Sequence, residues 1–118
     1  KSVSLLLYAV DAFRTIYTIG QTELTVNGQP YAGMFQENKD EQVALAISYD
    51  GDLPLANAVY NWRLAGGGGS FTGPTNQATA TYSTGFSIGQ ANIYCDISAE
   101  DTSDSPVQSG PISIQVLS

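Results

Sequence analysis

Short segments with apolar residues at alternate positions recur along the chain, and Gly, Pro, Asn and Asp separate them. The clearest segment is Gln42–Tyr49, where Val43, Leu45 and Ile47 fall on one face. Alternation with a period of two is typical of a half-buried β-strand, and no long stretch follows the 3.6-residue period of an amphipathic helix. The sequence therefore predicts an all-β protein.

The same pattern predicts further strands on both sides of Gln42–Tyr49. They are Lys1–Val10, Phe13–Ile19, Thr22–Val26, Tyr31–Gln36, Ala58–Leu64, Gln77–Tyr82, Ala91–Ser98 and a final strand that contains Ile112, Ile114 and Val116. The turn signals between them are Asn27-Gly28, Asp50-Gly51-Asp52 with Pro54, a run of four glycines at Gly66–Gly69 that we expect to be a mobile loop, and the charged loops Glu37–Glu41 and Glu100–Ser109. About seven to nine short strands at this spacing predict an antiparallel β-sandwich.

Alternation also predicts which side chains point into the sandwich. The expected core includes Val43, Leu45, Ile47, Trp62, Ile93, Cys95 and Ile114. A cysteine on an apolar face is more often a small buried hydrophobe than a reactive thiol, and an apolar-face tryptophan is more often a core anchor than a sugar platform. We therefore expect both residues to serve packing.

The order of three features resembles immunoglobulin-like domains. A strand with Val43 to Ile47 is followed by Tyr60-Asn61-Trp62 and then by Asn92-Ile93-Tyr94-Cys95-Asp96. With the glycine run and the threonine-rich strand between them, Thr22 to Val116 is similar to the modules related to the PKD type in bacteriophage structural and bacterial surface proteins. The antibody-type disulfide and tyrosine corner are not matched, since the chain has one cysteine and Ile93 stands where that tyrosine would be. The resemblance implies a stalk, decoration or assembly module.

The first residues differ from the rest because both faces of their predicted strand are apolar. We divide the chain into an N-terminal strand or arm segment, residues 1–20, and a sandwich domain, residues 21–118. An apolar strand at a chain end either completes its own sandwich or adds to the exposed sheet edge of a neighbour. We expect Lys1–Val10 to take part in assembly, with Leu5, Leu7 and Tyr8 as interaction residues.

Charge excludes two classes of partner. The chain has 118 residues, eleven acids, four bases and a formal net charge of −7. Four scattered bases cannot neutralise a nucleic-acid backbone, and the same argument excludes attraction to anionic lipid. The longest apolar run, Leu5–Val10, is far shorter than the roughly 20 residues of a membrane-spanning helix, so we expect no membrane insertion.

The sequence does not predict an enzyme. It has no histidine and one cysteine, so the commonest general base is missing. The carboxylates Asp50 and Asp52 are the one candidate acid–base pair, but closely spaced turn acids usually hydrogen-bond their own backbone. No cofactor is expected, although acid-rich loops suit calcium, and the weak candidate ligands are Asp50, Asp52, Asp96, Glu100, Asp101 and Asp104.

These observations favour a non-catalytic structural module that works through sheet-edge and loop contacts. We expect it on a bacteriophage virion or a bacterial cell surface, bound to other structural subunits or neighbouring domains within a larger assembly. The alternative is a carbohydrate-binding or host-adhesion module that recognises a cell-surface glycan. Tyr94 is its best candidate residue, because the flanking Ile93 and Cys95 are expected to point inward.

Overall fold

The structure, a computed structural model, describes residues 15–118. These residues form nine strands and one short 3₁₀ helix. The elements are β1 (Thr22–Val26), β2 (Gln29–Pro30), β3 (Met34–Asn38), β4 (Gln42–Tyr49), the 3₁₀ helix Leu55–Asn57, β5 (Val59–Gly66), β6 (Ser70–Phe71), β7 (Thr79–Ser83), β8 (Gly89–Ser98) and β9 (Val107–Leu117). No helix among them is long and apolar enough to cross a membrane.

Two sheets pack face to face. One has the strand order β2-β1-β4-β7-β6 and the other has the order β3-β9-β8-β5. Every pairing is antiparallel except that of β3 with β9, which is parallel. The two packed and mostly antiparallel sheets confirm the predicted all-β sandwich.

The core lies between the sheets and is built from the alternate positions that the sequence analysis selected. Trp62 on β5 faces Cys95 on β8 as a direct cross-strand partner. All seven of the expected core residues are buried, namely Val43, Leu45, Ile47, Trp62, Ile93, Cys95 and Ile114. Ile19, which precedes β1, is also fully buried in the same cluster.

Residues 15–19, the described part of the strand predicted over Phe13–Ile19, do not form a strand. Of these residues, Tyr17 alone joins a β-bridge, a parallel one with Thr102. Aspartate side chains, not a neighbouring strand, bind the backbone N–H groups of Thr18 and Ile19. The predicted strand Lys1–Val10, with Leu5, Leu7 and Tyr8, lies outside the described residues, and the division at residue 20 stays a prediction.

The bounds of β3 and β9 differ from the predicted ones. The strand predicted at Tyr31–Gln36 is found at Met34–Asn38, so Glu37 and Asn38 belong to β3 rather than to a charged loop. Tyr31 is instead held at the crossing, because its hydroxyl accepts a hydrogen bond from Ser113 N–H at 3.0 Å. The acidic loop predicted at Glu100–Ser109 ends earlier than expected, because β9 begins at Val107.

The edges of both sheets are short or capped, which limits strand addition. β2 and β6 have two residues each. At the centre of the β5 edge, Trp62 N–H donates to the Thr75 carbonyl oxygen at 2.9 Å. Since β3 covers β9 only from Ser113 onward, the first half of β9 is open, but Pro111 there has no N–H to offer. Loops are therefore better placed than edges to contact a partner.

Candidate functional site

Exposed large apolar side chains concentrate at the two ends of the sandwich. We call the end where residues 15–21 join the sandwich the entry end, and the opposite end, where β9 finishes, the far end. The described residues concerned are Ile16, Leu55 and Val59 at the entry end, Phe86, Ile88 and Leu117 at the far end, and Met34 on the side of the sandwich. Phe86 and Leu55 are the most exposed, at 76% and 75%.

The β7–β8 loop, which carries Phe86 and Ile88, is anchored at its base by Thr84. This side chain is fully buried, and its hydroxyl donates to the Asn38 carbonyl oxygen at 2.8 Å. The same hydroxyl accepts from Glu41 N–H at 2.9 Å, and Thr84 N–H donates to the Glu41 carbonyl oxygen at 2.9 Å. A satisfied buried hydroxyl of this kind holds the loop base in one position.

The glycine run Gly66–Gly69 lies beneath this loop. A Cβ built on Gly68 would lie 2.6 Å from Ser87 Cβ, and a Cβ on Gly67 would lie 2.5 Å from Ala91 Cα. The Tyr82 hydroxyl donates to the Gly68 carbonyl oxygen. Gly67, Gly68 and Gly69 of the run that the sequence suggested as a mobile loop are thus in close contact with β8, the β7–β8 loop and β7, and a Cβ at any of the three would collide there.

These contacts give the far end a firm base that presents two apolar side chains to solvent. Ile88 is 60% exposed, and neither it nor Phe86 belongs to the buried core. We call the surface of Phe86, Ile88 and Leu117 the far-end surface. Sequence reasoning missed it because strand periodicity ignores loops. The available signal was two apolar residues between Gly85 and Gly89 in a segment with no strand to pack.

Three aspartates bind the chain as it joins the sandwich at the entry end. Asp52 Oδ1 accepts from Thr18 N–H at 2.8 Å, and Asp50 Oδ1 accepts from Gln21 N–H at 2.7 Å. Asp104 accepts from Ile19 N–H at 3.0 Å and from Gly20 N–H at 2.9 Å. Four consecutive N–H groups are therefore bound by carboxylates from two loops. We call this arrangement the aspartate clasp.

Hydrogen bonds to the charged form lower the pKa of two of these carboxyl groups. The Thr18 N–H lowers the pKa of Asp52, and the Gly20 and Ile19 N–H groups lower the pKa of Asp104, both from an ordinary value of 3.8. A carboxylate with a lowered folded-state pKa stabilises the fold above its unfolded pKa, and this contribution disappears as pH falls through the folded value. The clasp therefore stabilises the protein at neutral pH.

Lowering the pH should destabilise the fold, partly because the carboxylates of the clasp become protonated. We expect the melting temperature of the wild type to fall between about pH 5 and pH 2, and the double variant D52N/D104N to show a shallower fall from a lower starting value. Thermal melts across this range would measure the difference. Glu23→Gln, which removes an exposed carboxylate on β1, is the control. A double variant with the wild-type acid dependence would contradict the role of the clasp.

The candidate calcium ligands do not converge. Among residues 15–118 no group of three or more acidic, histidine or cysteine side chains is placed to hold a metal ion. Asp50, Asp52 and Asp104 bind backbone N–H groups in the clasp, and Asp96 pairs with Arg63. Asp101 contributes its carbonyl oxygen to Tyr17 N–H at 2.7 Å. Calcium needs several oxygen ligands that point at one centre, and the clasp carboxylates point at N–H groups instead.

Tyr94 lies on the outer face of β8, and Arg63 covers its ring. The guanidinium carbon is 4.5 Å from the ring centroid, and Arg63 Nε also donates to Asp96 Oδ2 at 2.9 Å. A sugar that stacked on this face of Tyr94 would have to displace a cation–π contact and an ion pair. Tyr60 on β5, in the same sheet, is buried, at 8% exposed.

Cys95 is a packing residue in this structure. Its side chain is fully buried, and burial raises the pKa of the thiol to about 12. Thiolate, not thiol, is the nucleophile, so the fold keeps Cys95 unreactive at neutral pH.

Comparisons with known proteins add no relative. No protein-family model, no curated protein and no solved structure matches the chain.

Proposed function

We propose that this chain is a non-catalytic structural module of a larger assembly on a bacteriophage virion or a bacterial surface, and that it binds its neighbours through the loops at its ends. The observation that carries the proposal is the far-end surface. Phe86 and Ile88 are exposed at 76% and 60% on a loop whose base is fixed by buried Thr84. A rigidly held apolar surface loses little conformational entropy when a partner covers it.

The capped sheet edges support loops as the contacting elements. Trp62 N–H on β5 is bonded to the Thr75 carbonyl oxygen, and Ser113 N–H on β9 is bonded to the Tyr31 hydroxyl. The aspartate clasp supports a structural role as well, because it fixes the direction in which the preceding chain meets the sandwich. A module that holds its neighbours in fixed positions needs both a fixed junction and a fixed contact surface.

Removing the apolar groups of the far end should reduce association. We expect the double variant F86S/I88S to keep the wild-type melting temperature within a few degrees, because both side chains are mostly exposed. We expect its self-association or its binding to neighbouring subunits to weaken about tenfold or more, since apolar burial drives such contacts. Light scattering over a concentration series measures the effect.

The matched control is Met34→Ser, which removes a 49% exposed apolar side chain from the side of the sandwich. It should associate like the wild type. Equal association of F86S/I88S and wild type would overturn the proposal. So would binding to a glycan array that depends on Tyr94, because that result would make the protein a carbohydrate-binding module.

A further inference from the structure

We propose that residues 1–10 of one copy dock on the far-end surface of a second copy, so that copies associate head to tail. The proposal rests on the proposed function and names the partner of its contact surface. Residues 1–10 contain the apolar run Leu5–Val10, one base, Lys1, and no acid. An apolar segment with one positive charge is complementary to an apolar surface that has acidic residues near it.

Three acidic residues lie at the far end of the sandwich, near the far-end surface. Glu37 is the cross-strand partner of Val116, next to Leu117. Asp40 N–H donates to the Gly85 carbonyl oxygen at 2.7 Å, and Glu41 bonds Thr84 at the loop base. Lys39 is the one base in this stretch, so it carries a net charge of −2. Lys1 on an approaching segment would meet opposite charge beside an apolar patch.

The charge of the remaining chain disfavours contact between two bare sandwiches. Residues 15–118 carry ten of the eleven acids and two of the four bases, a net charge of −8. Residues 1–14 carry Lys1, Arg14 and Asp11, a net charge of +1. Like charge on two copies slows and weakens their association, whereas the N-terminal residues bring a net positive charge to the contact.

The position of the entry end determines the direction in which the proposed contact joins two copies. Tyr17 bridges Thr102 and the clasp binds residues 18–21, so the first described residues of the chain lie at the end opposite Phe86. A contact between residues 1–10 and the far end of another copy uses two different surfaces. Such a heterologous contact repeats from copy to copy and extends a row of modules.

Variants of the 118-residue chain test each of the two contacting surfaces in turn. L5S/L7S and F86S/I88S should each weaken association about tenfold or more in sedimentation velocity over a concentration series. An equimolar mixture should recover 1:1 complexes without longer rows, because each variant retains the surface that the other lacks. Leu55→Ser, which alters a 75% exposed residue at the entry end, should associate like the wild type.

Three outcomes would overturn the inference. If F86S/I88S weakens association and L5S/L7S does not, the far-end surface binds another partner, and the proposed function stands without this inference. If both variants weaken association but their mixture stays monomeric, the contact is not head to tail. If the wild type is monomeric at all concentrations, residues 1–10 do not join copies. In addition to these three outcomes, if the wild type associates and F86S/I88S associates as strongly, the proposed function fails as well.

Discussion

Replacing Gly69 with alanine is expected to lower the free energy of unfolding by about 3 kcal/mol, the combined cost of a left-handed backbone at a residue with a Cβ and of overpacking. Gly69 has φ = 82°, and a Cβ there would lie 2.5 Å from the Tyr82 hydroxyl oxygen and 2.7 Å from Tyr82 Cζ. It would also collide with the Ser83 carbonyl oxygen, which belongs to backbone that cannot move without opening β7. Urea denaturation would measure the loss.

Gly66 provides a control within the same run of glycines. A Cβ on Gly66 meets nothing within 4 Å, so Gly66→Ala should change stability by no more than about 0.5 kcal/mol. A difference between the two variants separates close packing from a simple preference for glycine in a loop. If Gly69→Ala were as stable as Gly66→Ala, the run would not support the β7–β8 loop, and the far-end surface would lose its firm base.

Trp62→Ala should have the second large effect, a loss of about 3–5 kcal/mol, as expected when a buried tryptophan is truncated. Trp62 is 3% exposed, lies beside Cys95 on the neighbouring strand of the same sheet, and donates from Nε1 to the Gln77 carbonyl oxygen at 2.8 Å. Its backbone N–H also holds Thr75 over the β5 edge. Loss of the indole therefore affects the core and the segment that covers this edge.

Trp62→Phe separates these contributions. It keeps an aromatic side chain in the core but leaves the Gln77 carbonyl oxygen without its donor, so we expect a loss of about 1–3 kcal/mol. Val59→Ala, on the same strand and 57% exposed, should be nearly neutral. Midpoints of urea denaturation at unchanged m-values would rank the three variants. A Trp62→Ala protein as stable as Val59→Ala would contradict the placement of Trp62 in the core.

Local sequence pattern was sufficient for the strands that pack on the core. Gln42–Tyr49 and Thr22–Val26 have the predicted bounds, and Ile93, Cys95 and Ile97 on β8 are all fully buried. The reason is that period-two alternation depends only on neighbouring residues, so it can be read without knowledge of the rest of the fold. The turns at Asn27-Gly28 and Asp50-Gly51 followed from the same kind of local signal.

The errors arose where distant residues decide the local structure. Residues 15–19 alternate well enough to resemble a strand, but Asp52 and Asp104 bind the Thr18 and Ile19 N–H groups from 34 and 85 positions along the chain. The same acids resemble calcium ligands in the sequence, because composition shows their number but not which donors face them. Strand period and acid content both lack this long-range information.

The sequence by itself determined the β-sandwich and its core, because alternation and residue type are local properties. Tertiary structure alone decided that the glycine run is a close-packed base, that Phe86 and Ile88 have no strand to cover them, and that three aspartates bind the entering chain. Each of these features depends on segments that meet only when the two sheets close. Exposure and hydrogen-bond partners are set by that closure, and the candidate contact surface therefore became visible only in the folded molecule.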